Sequence, residues 1–374
     1  MNKILFIIPF LHMLDRGIEK SGLNLANAMR TYFHQVSILC WGIFGQKKRI
    51  INGGLNIKRL PLPKYYSSYF ASIGYFIYLL IKKPDIVIIF FAGHGEAWPI
   101  RRAKKLIHFH LIFVAGYPIE TVPHRYREFR VLGIEPLLDS IIVKSTSMKK
   151  GVEDYFHRRV QVINNGVDTD YYSRKIILDT ERFKKVLGIK PGSVVLITVA
   201  ALEKRKGMVY IIKALERLMQ RDITDIHYII VGDGDDRQYY EGIINSSPVS
   251  NQVELVGSVK DVRPYYAIAD LFLLLSYGEG FPNVLLEAWA MELSVVVSTF
   301  PPFPEITNSS NAFNISVNDK AVLDELIEKV IQNKPRFRAI GIENRKKVRE
   351  EYSWQNIASK YFDNFNQINK SGNT

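Results

Sequence analysis

Two glutamates eight positions apart carry the side chains best suited to chemistry in this chain: Glu279 and Glu287, in the stretch Glu279-Gly280-Phe281-Pro282-Asn283-Val284-Leu285-Leu286-Glu287. Glu279 falls in a Gly-containing loop, Pro282 suits the opening position of a helix, and Glu287 lies inside an otherwise apolar helix expected over residues 283–291. A carboxylate among Val284, Leu285, Leu286, Ala288, Trp289 and Ala290 costs several kcal/mol if unpaired, so it needs a hydrogen-bonding or charged partner.

A phosphorylated sugar would satisfy the whole stretch. The N–H groups of Asn283, Val284 and Leu285 are expected to be unpaired at the helix start, and with the positive end of the helix dipole they suit an anion. Glu287, one turn further in, has two acceptor oxygens for the hydroxyls of a ribose diol. Glu279, before the helix, is placed to meet hydroxyls of a sugar beyond the phosphates. On spacing alone, a buried glutamate tied to backbone beside an ordinary capped loop remains the alternative.

Apolar runs alternating with helical patterns must position these residues, as in parallel α/β domains. Strands are expected near residues 4–9, 36–40, 86–90, 111–114, 140–143 and 160–163, and a second series near 194–200, 226–231, 253–256, 271–275 and 295–298. The boundary between the series lies within 166–192. The expected domains are residues 1–168, completed by 354–374, and residues 169–353. No repeat of solenoid length is evident, and the 371–374 tail reads as frayed.

The 374 residues, 47% hydrophobic, suffice for two substantial cores and exclude a disordered chain. One cysteine, Cys40, excludes an internal disulfide framework or a Cys-based zinc cluster and suits a reducing compartment. The apolar start resembles a signal peptide but reads better as a buried parallel strand. Pro9, His12 and Asp15 interrupt it early, and no small-residue cleavage site follows.

Glu-Gly-Phe-Pro followed by Glu287-Ala288, after the strand ending Leu271-Phe272-Leu273-Leu274-Leu275-Ser276, resembles the signature of the retaining glycosyltransferases of family 4. Gly17-Ile18-Glu19-Lys20, Asn164-Asn165-Gly166-Val167-Asp168, Lys206-Gly207, Val231-Gly232-Asp233-Gly234, Val256-Gly257, Pro304-Glu305 and Tyr352-Ser353-Trp354 follow in the family's order. The resemblance spans nearly the whole chain. It implies the GT-B fold: two Rossmann-like α/β domains facing a central cleft, with the last helix, residues 354–368, crossing back onto the first domain.

The resemblance also implies roles. Glu279 and Lys206 are the catalytic candidates. Gly17, Arg205, Lys206, Ser258, Val259, Glu279, Gly280, Phe281, Pro282, Asn283, Val284 and Glu287 would bind the donor, with Ser258 and Val259 near its base. Lys206-Gly207 is expected to open a helix, where an ammonium beside a leaving diphosphate is worth about 4 kcal/mol at intermediate dielectric. A solvated Lys-Arg-Lys turn is the alternative. Arg16 and His94 are candidates for the acceptor, although a histidine between Gly93 and Gly95 is also a common structural turn residue.

The chain departs from the family pattern at several positions. Ala201 stands where an arginine is usual, leaving Arg205 or Lys204 to supply the charge. Arg16-Gly17 replaces a Gly-Gly pair, so only Gly17 preserves close backbone approach to a phosphate. Ala115-Gly116 stands where a histidine is frequent, Glu292 and Ser294 replace Gly and Pro, and Pro301-Pro302 replaces Gly-Gly. Asp233-Gly234-Asp235-Asp236 resembles a metal-binding Asp-x-Asp, but after a strand it reads as a turn and helix cap. No resident cofactor and no divalent metal are expected. A dinucleotide site is disfavoured because the first loop lacks Gly-x-Gly-x-x-Gly.

Charge separates the halves. Residues 1–166 hold 24 Lys and Arg against 10 Asp and Glu, a net of +14, while residues 167–374 hold 26 against 27. In GT-B enzymes the first domain takes the acceptor, so the excess suits an anionic acceptor or an anionic membrane surface. Nucleic acid is not expected as a partner, because the basic residues are dispersed and form no nucleic-acid motif. Between Lys64 and Lys82 lie 17 uncharged residues rich in tyrosine, suited to a headgroup interface or to an ordinary helix packed on its sheet. The stretch is too short and too polar for a transmembrane span.

The expected activity is metal-independent, retaining transfer of a hexose-type sugar from a nucleotide diphosphate donor to a glycan or lipid-linked acceptor. The pathway would be surface polysaccharide or glycolipid biosynthesis, and the location the cytoplasm or the inner face of its membrane. A nucleotide-sugar epimerase of the same fold and a non-catalytic partner subunit are the alternatives.

Overall fold

The computed structural model describes residues 2–9, 11, 17–42, 49–52, 55–61, 69–91, 93–176 and 179–371. Two compact units divide the chain: Met1–Gly166 together with Trp354–Thr374, and Val167–Ser353.

The first unit runs β1 (Lys3–Ile7), α1 (Gly17–Ala28), β2 (Gln35–Gly42), β3 (Arg49–Asn52), β4 (Leu55–Pro61), α2 (Tyr69–Lys82), β5 (Ile86–Ile89), α3 (His94–Ala103), β6 (His110–Ala115), α4 (Pro123–Val131), β7 (Ser140–Val143), α5 (Thr146–Phe156) and β8 (Gln161–Val162). Its sheet has the order β3-β4-β2-β1-β5-β6-β7-β8. Every pair is parallel except β3 with β4. Strands such as β5, buried at all four positions, are apolar throughout because helices cover both faces. One face packs on Tyr75, Leu79, Ile100, Phe129 and Phe156, the other on Leu25, Met29 and the closing helix, with Trp354, Ile357, Tyr361 and Phe365.

The second unit runs α6 (Thr180–Val186), β9 (Val194–Val199), α7 (Met208–Met219), β10 (Ile226–Val231), α8 (Arg237–Ser246), β11 (Val253–Gly257), α9 (Arg263–Ile268), β12 (Leu271–Leu274), α10 (Asn283–Ala290), β13 (Ser294–Ser298), α11 (Phe303–Ile306), β14 (Phe313–Ile315), α12 (Lys320–Gln332) and α13 (Lys334–Glu351). The closing helix α14 (Trp354–Ser371) belongs to the first unit. The all-parallel order β11-β10-β9-β12-β13-β14 reverses between β9 and β12. Such a reversal opens a crevice at the carboxyl ends of the strands, where open α/β sheets bind ligands. The order around β1 and β5 reverses likewise in the first sheet.

Both sheets are Rossmann-like, as expected, and three strands are added. The edge strands β3 and β14, and β4 next to β3, carry Arg49, Asn314 and Lys58 and lack the apolar runs of buried strands. Expected boundaries shift slightly: β1 stops at Ile7, and α10 stops at Ala290. Residues 372–374 of the tail and 65–68 of the uncharged segment lie outside the described residues.

Candidate active site

The loops after β9 and β12 meet beside the switch point of the second sheet. Lys204–Lys206 form a short 3₁₀ turn and α7 begins only at Met208, so Lys206 precedes a helix that it was expected to open. Gly207 separates them at φ +72°, and a Cβ there would collide with the Leu275 carbonyl oxygen just past β12. This close approach, together with an amphipathic α7 burying Met208, Ile211, Ile212, Leu215 and Leu218, holds Lys206 against the β12 loop.

Lys206 Nζ donates to Glu279 Oε1 at 2.5 Å, and both side chains are about nine-tenths buried. Arg205 Nη1 approaches Glu279 Oε2 at 3.6 Å and donates to the Gly278 carbonyl at 2.8 Å. Glu203 Oε2 accepts from Arg205 Nε at 2.5 Å. Of the two cations named as replacements at Ala201, Arg205 is therefore the one beside Glu279. Lys204 turns toward Asp236, at 4.0 Å, and over the Tyr239 ring, 4.6 Å from its centroid. The Glu279 N–H donates to the Pro301 carbonyl at 3.2 Å, joining this loop to the one carrying Pro301-Pro302.

Helix α10 follows, with Pro282 as the flanking residue before its first turn. The N–H groups of Asn283 and Leu285 are engaged, not unpaired as expected, because they donate to Phe281 and Pro282 carbonyls at 3.1 and 3.0 Å and tighten the start of the helix. The helix buries Leu285, Leu286, Ala288, Trp289 and Ala290, while Asn283, Val284 and Glu287 share a half-buried face.

Glu287 has partners that the sequence did not reveal. Tyr266 on α9 donates to Oε2 at 3.2 Å, and Tyr172, just past Asn-Gly-Val-Asp, also hydrogen-bonds this carboxylate. Burial and then the Glu287 charge push both phenols well above their ordinary pKa. Both stay neutral donors, so side-chain hydroxyls are among the groups that hold this glutamate. No spacing signal marks them, because each comes from a different element.

Gly257 ends β11 at φ +83°, leaving Ser258 exposed and Val259 packed on the core beside Val262 and Tyr265. Asp233–Asp236 form the turn between β10 and α8: Asp233 accepts the Gly234 N–H at 2.9 Å and Asp236 the Lys204 N–H at 2.8 Å. Among the described residues, no group of three or more His, Cys, Asp or Glu side chains could hold a metal ion.

Gly17 and His94 lie in the first unit, opening α1 and α3 after the adjacent strands β1 and β5. Arg16 lies outside the described residues. A pocket of about 180 Å³ at this edge is lined by Ile18, Glu19, Phe91, Tyr117, Arg125 and Glu128, among others, and not by the exposed His94. At Gly116, where a histidine was noted as frequent, the Ile18 side chain fills the space a Cβ would need.

Two Rossmann-like units, the second with basic and acidic side chains gathered at its switch point, define the GT-B class. The chain belongs to the glycosyltransferases of this class: residues 179–348 match the family of glycosyl transferases group 1, and residues 16–171 match glycosyltransferase family 4. A Campylobacter jejuni α-1,4-N-acetyl-D-galactosaminyltransferase, named as acting on an undecaprenol-diphosphate-linked glycan, is 24% identical over 96% of this chain and 97% of its own. A Methanocaldococcus jannaschii glycosyltransferase is 28% identical over 58% of this chain, and a Bacillus anthracis N-acetyl-α-D-glucosaminyl L-malate synthase 24% over 63%. The chain spans only 57% and 64% of the length of those two relatives. Among solved structures, Anabaena HepE in complex with UDP and glucose superposes with a TM-score of 0.78 at 16% identity, covering 98% of this chain and 100% of that one.

Proposed function

We propose that the protein transfers a hexose-type sugar from a nucleotide diphosphate donor to a glycan or lipid-linked acceptor, with retention at the anomeric carbon and without a divalent metal. The observation that carries this reading is the Lys206–Glu279 pair at the β9/β12 switch point, flanked by Arg205 and α10. An ammonium has three donors and a carboxylate about four lone-pair sites, so the pair can persist while each partner engages a ligand. Lys206 and Arg205, with the start of α10, would stabilise charge on the leaving diphosphate, and Glu279 would orient the sugar hydroxyls. Glu287, held by Tyr172 and Tyr266, would accept the ribose diol. Ser258 and Val259 would lie near the base, and Gly17 is a further proposed donor-binding residue.

In the proposed reaction the acceptor hydroxyl attacks the face that the diphosphate leaves, and the departing phosphate oxygen takes its proton. The acceptor would bind the first unit at the pocket beside Glu19 and Arg125. A lipid-linked acceptor fits the names of relatives such as an Escherichia coli galactosyltransferase acting on a diphosphoundecaprenol-linked sugar. It also fits work at the inner face of the cytoplasmic membrane, and no helix among the described residues is long and apolar enough to cross a membrane.

The reading is tested by incubating the protein with a panel of nucleotide sugars, with and without polyprenyl-diphosphate-linked glycans. Acceptor-dependent release of nucleoside diphosphate with an axial anomeric product is expected from an α-linked donor. Conversion of the donor to its epimer without acceptor, or no turnover of any donor, would overturn it.

A further inference from the structure

Helix α2 has no charged residue before Lys82, and its outward positions Ile73, Ile77 and Ile81 are 39, 49 and 71% exposed. Its inward positions Tyr75, Tyr78 and Leu79 fill the core. A helix covered only by water carries charge on its outer face, whereas this one repeats isoleucine every four residues along a single stripe. Beside it, α3 and the turn that follows expose Arg101, Arg102 and Lys105. Phe76 and Trp98 join the two helices edge to face, with ring centroids 5.6 Å apart. Lys82 and Lys83 close the apolar stripe.

Among the described residues, the carboxylates on and next to these two helices are engaged elsewhere. Glu96 is fully buried, accepting from Trp41 Nε1 and the Gly93 N–H, and Asp85 accepts the N–H groups of Asn2 and Lys3. An apolar stripe rimmed by cations matches the boundary between acyl chains and anionic headgroups. A two-fold pairing of copies would instead bring the same cations against one another.

We propose that the α2–α3 face docks the protein on an anionic lipid bilayer, with Ile73, Ile77 and Ile81 at the acyl boundary and Lys82, Arg102 and Lys105 against lipid phosphates. This deepens the reading of a membrane-linked acceptor and rests on it. The test contains neither donor nor acceptor, so its failure is distinct from a failure of glycosyl transfer.

The full chain is sedimented with vesicles of phosphatidylcholine alone and of phosphatidylcholine mixed with phosphatidylglycerol. Binding should require phosphatidylglycerol and fall as salt shortens the Debye length to about 8 Å. The double variant Ile77→Ser/Ile81→Ser and the triple variant Lys82→Glu/Arg102→Glu/Lys105→Glu should each weaken it by about tenfold or more. Neither should change the thermal midpoint or the affinity for nucleoside diphosphate. Equal binding to neutral vesicles, no binding at low salt, or full binding by both variants would overturn the proposal. So would a dimer that forms without vesicle binding and is abolished by the isoleucine variant, which would assign the face to a second copy.

Discussion

Lys206 and Glu279, 73 residues apart in sequence, meet at 2.5 Å where the loops after β9 and β12 converge. Gly207 makes the meeting possible by allowing the chain to turn against the Leu275 carbonyl. The pair places a cation beside the carboxylate proposed to orient the sugar before any ligand arrives, so little reorganisation would remain for the proposed catalysis.

Lys206→Ala should lower turnover by about 10²–10³-fold, the range for removing one preorganised charge-stabilising donor. Glu279 would keep Arg205 at 3.6 Å, so the stability loss should stay near the lower end of the roughly 3–5 kcal/mol for breaking a buried pair. Glu279→Gln should reduce turnover more than affinity for free nucleoside diphosphate. Steady-state kinetics with calorimetric binding separates these effects; equal turnover in a folded Lys206→Ala variant contradicts the assignment.

Metal removal gives an independent check. Leaving-group charge is assigned to side chains and a helix terminus, so activity should survive EDTA, and Asp235→Asn/Asp236→Asn should leave metal response unchanged. Loss of activity on chelation with recovery on adding Mn²⁺ or Mg²⁺ would point back to the aspartate turn.

Much of this arrangement was legible because it rests on local patterns. The buried strands β7 and β10 fall at the residues their apolar runs indicate, and the Glu279 to Glu287 spacing places one glutamate on a loop and one on a helix. What escaped depends on tertiary partners. Tyr172 and Tyr266 hold Glu287 from separate elements, and nothing in their spacing signals this. The choice of Arg205 over Lys204 follows from the turn geometry after Glu203. The β4 strand alternates buried Leu55 and Ile57 with Asn56 and Lys58, but its hairpin interrupts the expected strand–helix alternation.

A buried lysine makes stability depend on pH. Lys144, just past β7, donates to the Tyr361 hydroxyl at 2.7 Å, and burial pushes its pKa down to about 7 from an ordinary 10.5. Between these values the unfolded chain holds a proton that the folded chain has released, so this residue's contribution to stability rises with pH across the window. Lys144→Met should therefore stabilise most below pH 7, by a few kcal/mol, and have little effect through this term above about pH 10.5. Urea unfolding at pH 6.5 and pH 9 measures the difference; an equal effect at both would contradict it.

The central claim, a nucleotide diphosphate held at the switch point of the second unit, is tested most directly by titrating a panel of nucleoside diphosphates into the protein and into its Glu287→Ala variant by calorimetry. The account predicts that the preferred nucleotide binds the folded variant more weakly by about 1.5–3 kcal/mol, the range for hydrogen bonds to a charged group. That is roughly a 10- to 150-fold rise in Kd. Unchanged affinity in a variant with native thermal unfolding, or no binding of any nucleoside diphosphate to the unaltered protein, would contradict it.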